Sequence, residues 1–518
     1  MSASPLFSVV TPVYNTPPAV LRETVDSVLV QGWAGWELLL VDDRSPSAET
    51  AAALEEIEAL DPRIRVLRRE TNGGISAASN DGLAAARGEF VVLLDHDDLL
   101  VPGALAKAAR AVLDDETIDY LYTDEDKIDE DGYTFDVFQK PDWSPERFRW
   151  QMYTCHMSVF RTELGREVGG FDSAFDGAQD HDLILKVTER ARTIHHIPEV
   201  LYHWRTVPGS TATGADAKPY AWDAGVRAVS AHLERTGQRA TAERGTLPGT
   251  YAVRRELDPA LRVSVIIPTR GTAGDAFGKP RVFVVEAVRA VLDHTAHENL
   301  EFVVVYDETT PPAVLDELGD LAGDKLLLVP YAKPFNFSEK CNVGFARSTG
   351  DRIVLLNDDT EVISDGFIER LVAPLDDDGV GLTGALLYFE DGTVQHGGHR
   401  YGVAGYGHSY FGEHSESTGH FNELSIYREV TGVTAACSAI TRELYAEIGG
   451  MWEGLPGNYN DVDYCYKVRQ TGRRILFLHD VRLFHFESKT RVPTVHAWEM
   501  EFVERRWGRP TDDVYSGR

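Results

Sequence analysis

The stretches FVVLLDHDDLL (90–100) and RIVLLNDDTEV (352–362) decide how this chain is read. Each is a short apolar run that ends in clustered carboxylates, with Asn357 in the second where Asp95 stands in the first. Such a run, bounded by turn-forming residues, reads as a strand buried on both faces. Crowded acids with no Lys or Arg among them are costly unless solvated, protonated or bound to a cation. Asp-x-Asp at a strand end suits Mg²⁺ or Mn²⁺, which take oxygen ligands and bridge to phosphates. The plainer reading is a solvated acidic turn in an acidic chain.

Working outward from these runs, the chain is written twice. SVVTP (8–12) returns as SVIIP (264–268), ELLLVDDRSPS (37–47) as FVVVYDETTPP (302–312), and SNDGLAAARGEF (79–90) as CNVGFARSTGDR (341–352). VGGFDSAFDGAQDHDLILKV (168–187) returns as IGGMWEGLPGNYNDVDYCYKV (448–468), and LYHWR (201–205) as LFHFE (483–487). Blocks in one order with slowly drifting offsets mean duplication, with insertions confined to loops. Residues 1–245 and 263–518 are the two expected domains, and 246–262, which holds Gly, Pro and mixed charge, is the expected linker. Within each half, short apolar runs alternate with stretches of helical spacing, such as PPAVLRETVDSVLVQ between FSVVTPV and WELLLVDD. Strand–helix–strand order implies right-handed crossovers and an α/β fold, a mostly parallel sheet with helices on both faces. Ligands of such sheets bind beyond the carboxyl ends of the strands, where Asp42, Asp43, Asp95, Asp97 and Asp98 fall.

The bulk figures agree. At 518 residues the chain is too long for one ordinary core. Its 43% hydrophobic and 10% aromatic content is that of a globular protein. A formal net charge of −31 repels phosphate backbones and anionic lipid, so nucleic acid is excluded as an expected partner. Four scattered cysteines without a Cys-x-x-Cys pair fit reduced thiols in a cytoplasm. The N-terminus shows no secretory pattern, and no run approaches the roughly 18 apolar residues of a membrane span. Membrane contact is therefore expected to be peripheral at most, at the inner face.

The ordered set TPVYN (11–15), VDDRS (41–45), NGGISAASN (72–80), LDHDD (94–98) and QDHD (179–182) resembles the family 2 glycosyltransferases of GT-A fold. The second half resembles them through IPTR (267–270), FNFSEKCN (335–342), LNDDTEV (356–362), NDVD (460–463) and HFES (485–488). The nearest likeness is to bacterial tandem enzymes that build O-antigens, rhamnans and other surface polysaccharides.

The resemblance implies two nucleotide-sugar sites and a glycan or lipid-linked glycan acceptor. It places Pro12, Tyr14, Asp42 and Asp43 around the first nucleoside, and Pro268, Arg270, Asp307 and Glu308 around the second. Asp95 and Asp97, and Asn357 and Asp359 with Asp358 between them, take the family's diphosphate and metal role, with Mg²⁺ or Mn²⁺ as cofactor. Asp180 and Asp461 take the role of the base that accepts the acceptor hydroxyl's proton, so that one displacement inverts the anomeric centre. Helix capping is the alternative for both. His203 and His485 are candidate third metal ligands, with a backbone-bonded strand-end histidine as the alternative. Arg205 is a candidate diphosphate contact, for which Lys489 and Arg491 stand in loosely in the second copy. Asn357 leaves open that only one domain is catalytic and the other a degenerate acceptor-binding domain. A non-catalytic carbohydrate-binding protein is the remaining alternative.

Overall fold

The computed structural model describes residues 4–206, 219–486, 495–511 and 513–515. The chain divides into two compact units, the first Met1–Ser144 with Phe148–Val253, the second Pro145–Arg147 with Arg254–Ser516. Within the stretch expected to be linker, Tyr251–Arg255 is a strand, paired with Ala240–Arg244.

In the first unit, Phe7–Val13 is the central strand, parallel to Trp36–Asp42 on one side and Phe90–Leu93 on the other. Ile64–Arg68 extends the parallel set beyond Trp36–Asp42. Ser158–Arg161 follows Phe90–Leu93 in antiparallel sense and leads to the parallel pair Ile118–Ile128 and Thr193–Arg205. The second unit repeats this order with Leu326–Tyr331, Leu300–Asp307, Val263–Thr269, Arg352–Leu356, Cys437–Thr441, Val380–Tyr388 and Arg474–His485.

The central strands carry β-branched and aromatic residues because both faces are covered, and Trp36–Asp42 is buried at every position. Helix Pro18–Leu29 starts on a proline, whose fixed φ suits the first turn, and buries Leu21, Thr24, Val25 and Val28 along one stripe. Two glycines let a helix lie directly on the sheet. A Cβ at Gly82 would stand 2.4 Å from Val10 Cγ1, and one at Gly344 would stand 2.4 Å from Ile266 Cγ2. A buried polar pair is also duplicated: Ser8 Oγ donates to Glu37 at 2.7 Å and Ser264 Oγ to Glu301 at 2.5 Å.

The C-terminal helix Ala497–Trp507 docks on its own unit. Val503 is buried, Phe502 stacks on Trp452 at 5.9 Å, and Trp507 Nε1 donates to Asp463 at 2.8 Å. No helix among the described residues is long and apolar enough to cross a membrane.

Candidate active sites

Parallel strands that end together leave their acids along one edge. In the first unit a cavity of about 420 Å³ opens there, lined by Pro12, Tyr14, Asp43, Gly74, Asp95 and Asp97 among others. Asp43 is fixed by the start of helix Ile75–Ala85: Gly73 and Gly74 N–H groups donate to it at 2.9 and 2.8 Å, and Arg69 at 2.6 Å. Asp42 lies back at the strand end, accepting the Ser45 N–H at 2.9 Å.

Burial raises the Asp97 carboxyl; the His96 charge opposes this and Asp95 adds to it. Asp98 is buried and pushed well up by burial and by Asp95, while accepting from Tyr202 Oη at 2.6 Å. Asp95, Asp98 and His156 bring ligand atoms within 4.8 Å of one another. His156 Nε2 stands 3.9 Å from Asp95 and Nδ1 3.4 Å from Glu125. Burial works against charging His156, but Glu125, Asp95 and Asp98 outweigh it and lift its pKa to about 9. Burial would raise Glu125 as well; Lys140, 2.9 Å away, and His156 hold it at about 2.

Asp180 lies in the first turn of helix Gln179–Thr188, whose N-cap is Ala178 with no side-chain cap, so capping does not account for it. Gln179 Nε2 donates to its Oδ2 at 3.0 Å. Burial and then the charge of Asp95 raise its carboxyl to about 6, the range in which a carboxylate can act as a general base near neutrality.

Two expected residues face elsewhere. Arg205 donates from Nε to the Asp97 carbonyl at 2.7 Å and from Nη2 to Glu23 at 2.6 Å, which makes it a brace for the acidic turn. His203 is bonded to Asp126, not to the acids of the turn.

The reason is register. Leu99 pairs with His203 in the first unit, whereas Thr360 pairs with His485 in the second. Because Ser8 pairs with Val91 and Ser264 with Ile353, Thr360 stands in the place of Asp98, not of Leu99. The positional partner of His485 is therefore Trp204, and His203 corresponds to Phe484. A slip of one residue turns a strand's side chains to the opposite face. The first site draws its histidine from the bend before strand Ser158–Arg161: His156, whose counterpart in the second unit is Ala436, next to Cys437.

In the second unit Pro268, Asn357, Asp358, Asp359, Asp461 and His485 line one cavity of about 430 Å³. His485 Nδ1 lies 2.6 Å from Gln395 Oε1, and Nε2 lies 3.1 Å from Asn357 Nδ2 and 3.3 Å from Asp359. Asn357 Oδ1 is buried with no hydrogen-bond partner. An orphaned carbonyl oxygen beside a carboxylate and an imidazole is the donor set a divalent cation would complete. Asp358, bonded to Thr269 Oγ1 at 2.6 Å, is pushed up to about 7 by burial and by Asp359. Asp461 sits in the first turn of helix Asn460–Gln470, whose N-cap Tyr459 offers no side-chain cap, and its own Oδ1 accepts the Val462 N–H at 2.9 Å.

At the end of strand Leu300–Asp307, Asp307 pairs with buried Lys340 at 2.5 Å and with Arg270 at 3.8 Å, while Arg270 lies over the Phe335 ring at 4.3 Å. Glu308 is exposed. Lys340 occupies the position of cavity-lining Ala78, a difference between the two sites that the motifs did not flag. Glu487, Ser488, Lys489 and Arg491 lie outside the described residues.

Trp143 packs on Phe148 and Tyr153, and Trp150 is buried. Trp204 lies against His156 at 5.5 Å.

The sequence is 40% identical over 520 residues to the uncharacterized protein y4gI of Sinorhizobium fredii (strain NBRC 101917 / NGR234), covering 97% of this chain and 56% of that one. It is 35% identical over 524 residues to the O-antigen biosynthesis protein RfbC of Myxococcus xanthus, covering 99% of this chain and 40% of that one. The chain thus spans about half the length of these curated relatives. Among solved structures, Staphylococcus aureus TarS 1-349 in complex with UDP-GlcNAc matches at 22% identity with a TM-score of 0.35, over 44% of this chain and 72% of that one. The model of Glycosyl transferase family 2 matches twice, over residues 8–169 and 264–449, one segment in each half. The chain belongs to glycosyl transferase family 2 and carries two α/β domains of the family's GT-A type.

Proposed function

We propose that each unit binds a nucleotide-sugar donor and that the chain carries out two inverting transfers onto a growing surface polysaccharide or lipid-linked glycan. The observation that carries this reading is the doubled constellation. Residues as far apart as Pro268 and His485 meet in one cavity of the second unit, and Pro12, Asp43, Asp95 and Asp97 meet in the first. A relative named for O-antigen biosynthesis supports the polysaccharide as product. Free cysteines, three of them buried, support a cytoplasmic setting, with membrane contact peripheral at most.

In this reading Asp180 and Asp461 each accept the proton of an acceptor hydroxyl while its oxygen bonds the anomeric carbon. The bond to the diphosphate breaks on the opposite face, so configuration inverts. Asp43 with the Gly73–Gly74 amides, and Asp307 with Lys340, shape the nucleoside ends. Asp95 and His156, with Asp98 within ligand reach of both and Asp97 on the same turn, would hold Mg²⁺ or Mn²⁺ in one unit, and Asn357, Asp359 and His485 in the other. When bound, the cation neutralises the departing diphosphate.

The test is release of nucleoside diphosphate from a panel of UDP- and dTDP-sugars, with Mn²⁺ and with EDTA. Release that depends on Mn²⁺ supports the reading. Release unaffected by EDTA removes the metal assignment, and no binding of any nucleoside diphosphate removes the donor site.

A further inference from the structure

The second cavity carries a feature without a counterpart among the described residues of the first unit. Strands His399–Gly402 and Gly405–His408 form a glycine-rich hairpin that sets His399 opposite His408, with His396 just before it. The three imidazoles lie within ligand reach of one another. Their hydrogen bonds argue against a cation among them. The Thr434 N–H can only donate, and it meets His396 Nε2 at 3.2 Å, so the His396 proton is on Nδ1, which faces His408 Nδ1 at 2.7 Å.

The carboxylate that it faces decides His399. Its Nδ1 lies 3.0 Å from Tyr401 Oη. That phenol is buried, which pushes its ionisation far up, so it keeps its proton and can donate it to Nδ1. The other nitrogen, Nε2, faces Asp461 Oδ2 at 3.7 Å, and an ionised carboxylate can only accept, which places the His399 proton on Nε2. The backbone leaves little slack around this pair. His399 N–H donates to the Gly432 carbonyl at 2.7 Å, and a Cβ on Gly432 would stand 2.5 Å from Tyr401 Oη and 2.9 Å from His399 Nδ1. Burial, against the pull of Asp461, depresses the His399 pKa to about 3, so the ring stays neutral.

The first unit shows what this replaces. There Gln179 Nε2 reaches Asp180 at 3.0 Å. Its counterpart Asn460 is one methylene shorter; its Nδ2 turns to Ser338 Oγ at 3.4 Å and its Oδ1 accepts the Asp461 N–H at 2.9 Å.

We propose that His399 is a positioning residue for Asp461: its Nε2–H holds the carboxylate in orientation, and Tyr401, donating to Nδ1, supports the tautomer that makes this possible. The inference rests on reading Asp461 as the base of the second site. A separation of 3.7 Å closes to a hydrogen bond by a small side-chain shift as the acceptor engages. His399 stays neutral throughout and takes no proton; the acceptor's proton ends on Asp461.

The test has two readouts on the full chain. Imidazole-¹⁵N spectra, with His399 assigned by the loss of its signal in His399→Gln, are expected to show a neutral ring with the proton on Nε2 from pH 5 to 8. Tyr401→Phe is expected to give a mixture of tautomers. In an Asp180→Asn background, donor turnover with Mn²⁺ is measured with the same panel of UDP- and dTDP-sugars. His399→Ala is expected to lower kcat by about tenfold or more with donor KM unchanged, and His399→Gln, which keeps an N–H donor, to recover most of it. A proton on Nδ1, a charged ring in that range, or an unaltered kcat in His399→Ala overturns the proposal. Full turnover in Asp461→Asn would instead remove the base assignment, and the tautomer result would stand separately.

Discussion

Asp180→Asn is expected to stabilise the fold at neutral pH while it removes the base proposed for the first site. Burial, then the charge of Asp95, lifts the folded carboxyl from 3.8 to about 6. Between those values the folded chain holds more proton than the unfolded chain, so stability falls as pH rises from about 3.8 to about 6 and stays lowered above that. A shift of about two units corresponds to at most about 3 kcal/mol. Asp180 is half-buried, and solvent screening brings the expected figure to about 1–2 kcal/mol. Asn keeps the shape and can accept from Gln179 through its carbonyl, but carries no charge. Urea unfolding followed by tryptophan fluorescence, with EDTA present, should place the variant above the parent by that amount at pH 8, and near it at pH 4. Equal stabilities at pH 8, or a less stable variant there, refute the reasoning.

Asn357→Ala removes the orphaned carbonyl oxygen and should weaken Mn²⁺ binding at the second site by about 10- to 100-fold; Mn²⁺ titration in an Asp95→Ala background reads that site. Gly344→Ala drives a Cβ to 2.4 Å from Ile266 and should cost about 1–3 kcal/mol. Gly319→Ala, in a helix with nothing within 4 Å of the new atom, should stabilise by about 0.5–1 kcal/mol; thermal unfolding of the two variants checks the pair. Lys340→Met deprives Asp307 of its close cation and is expected to weaken nucleoside diphosphate binding at the second site, leaving the first unchanged, as calorimetry with each site disabled in turn will show.

The duplication made the fold legible. Strand ends, the acids on them and the late-helix Asp residues recur at nearly constant spacing, and spacing along a strand survives into structure. Pro268, Asn357, Asp358, Asp359, Asp461 and His485 were brought together from sequence, and they share one cavity. His203 shows what repetition in the sequence does not carry. LYHWR and LFHFE align best on their histidines, but the strand pairings place His485 level with Trp204. Register is set by neighbouring strands, and a local match cannot detect a slip of one residue. His156 was missed for a related reason: it precedes an antiparallel strand whose second copy has Ala436 there, so repetition carried no signal. Arg205 bonds the backbone of the acidic turn and Glu23, a contact that the spacing does not signal, because a cation near such a turn can as well brace its backbone as face a ligand. His399 lies on a hairpin with no matching strand pair among the described residues of the first unit, so no comparison between the halves could single it out.

The central claim is two working sites in one chain. Asp180→Asn and Asp461→Asn, made separately and assayed with Mn²⁺, a panel of nucleotide-sugars and glycan acceptors, test it most directly. The account predicts that each variant loses one linkage and keeps the other, with a loss of about 100-fold or more for the affected transfer. If Asp461→Asn leaves every product unchanged, the second site does not turn over and the two-site account is wrong.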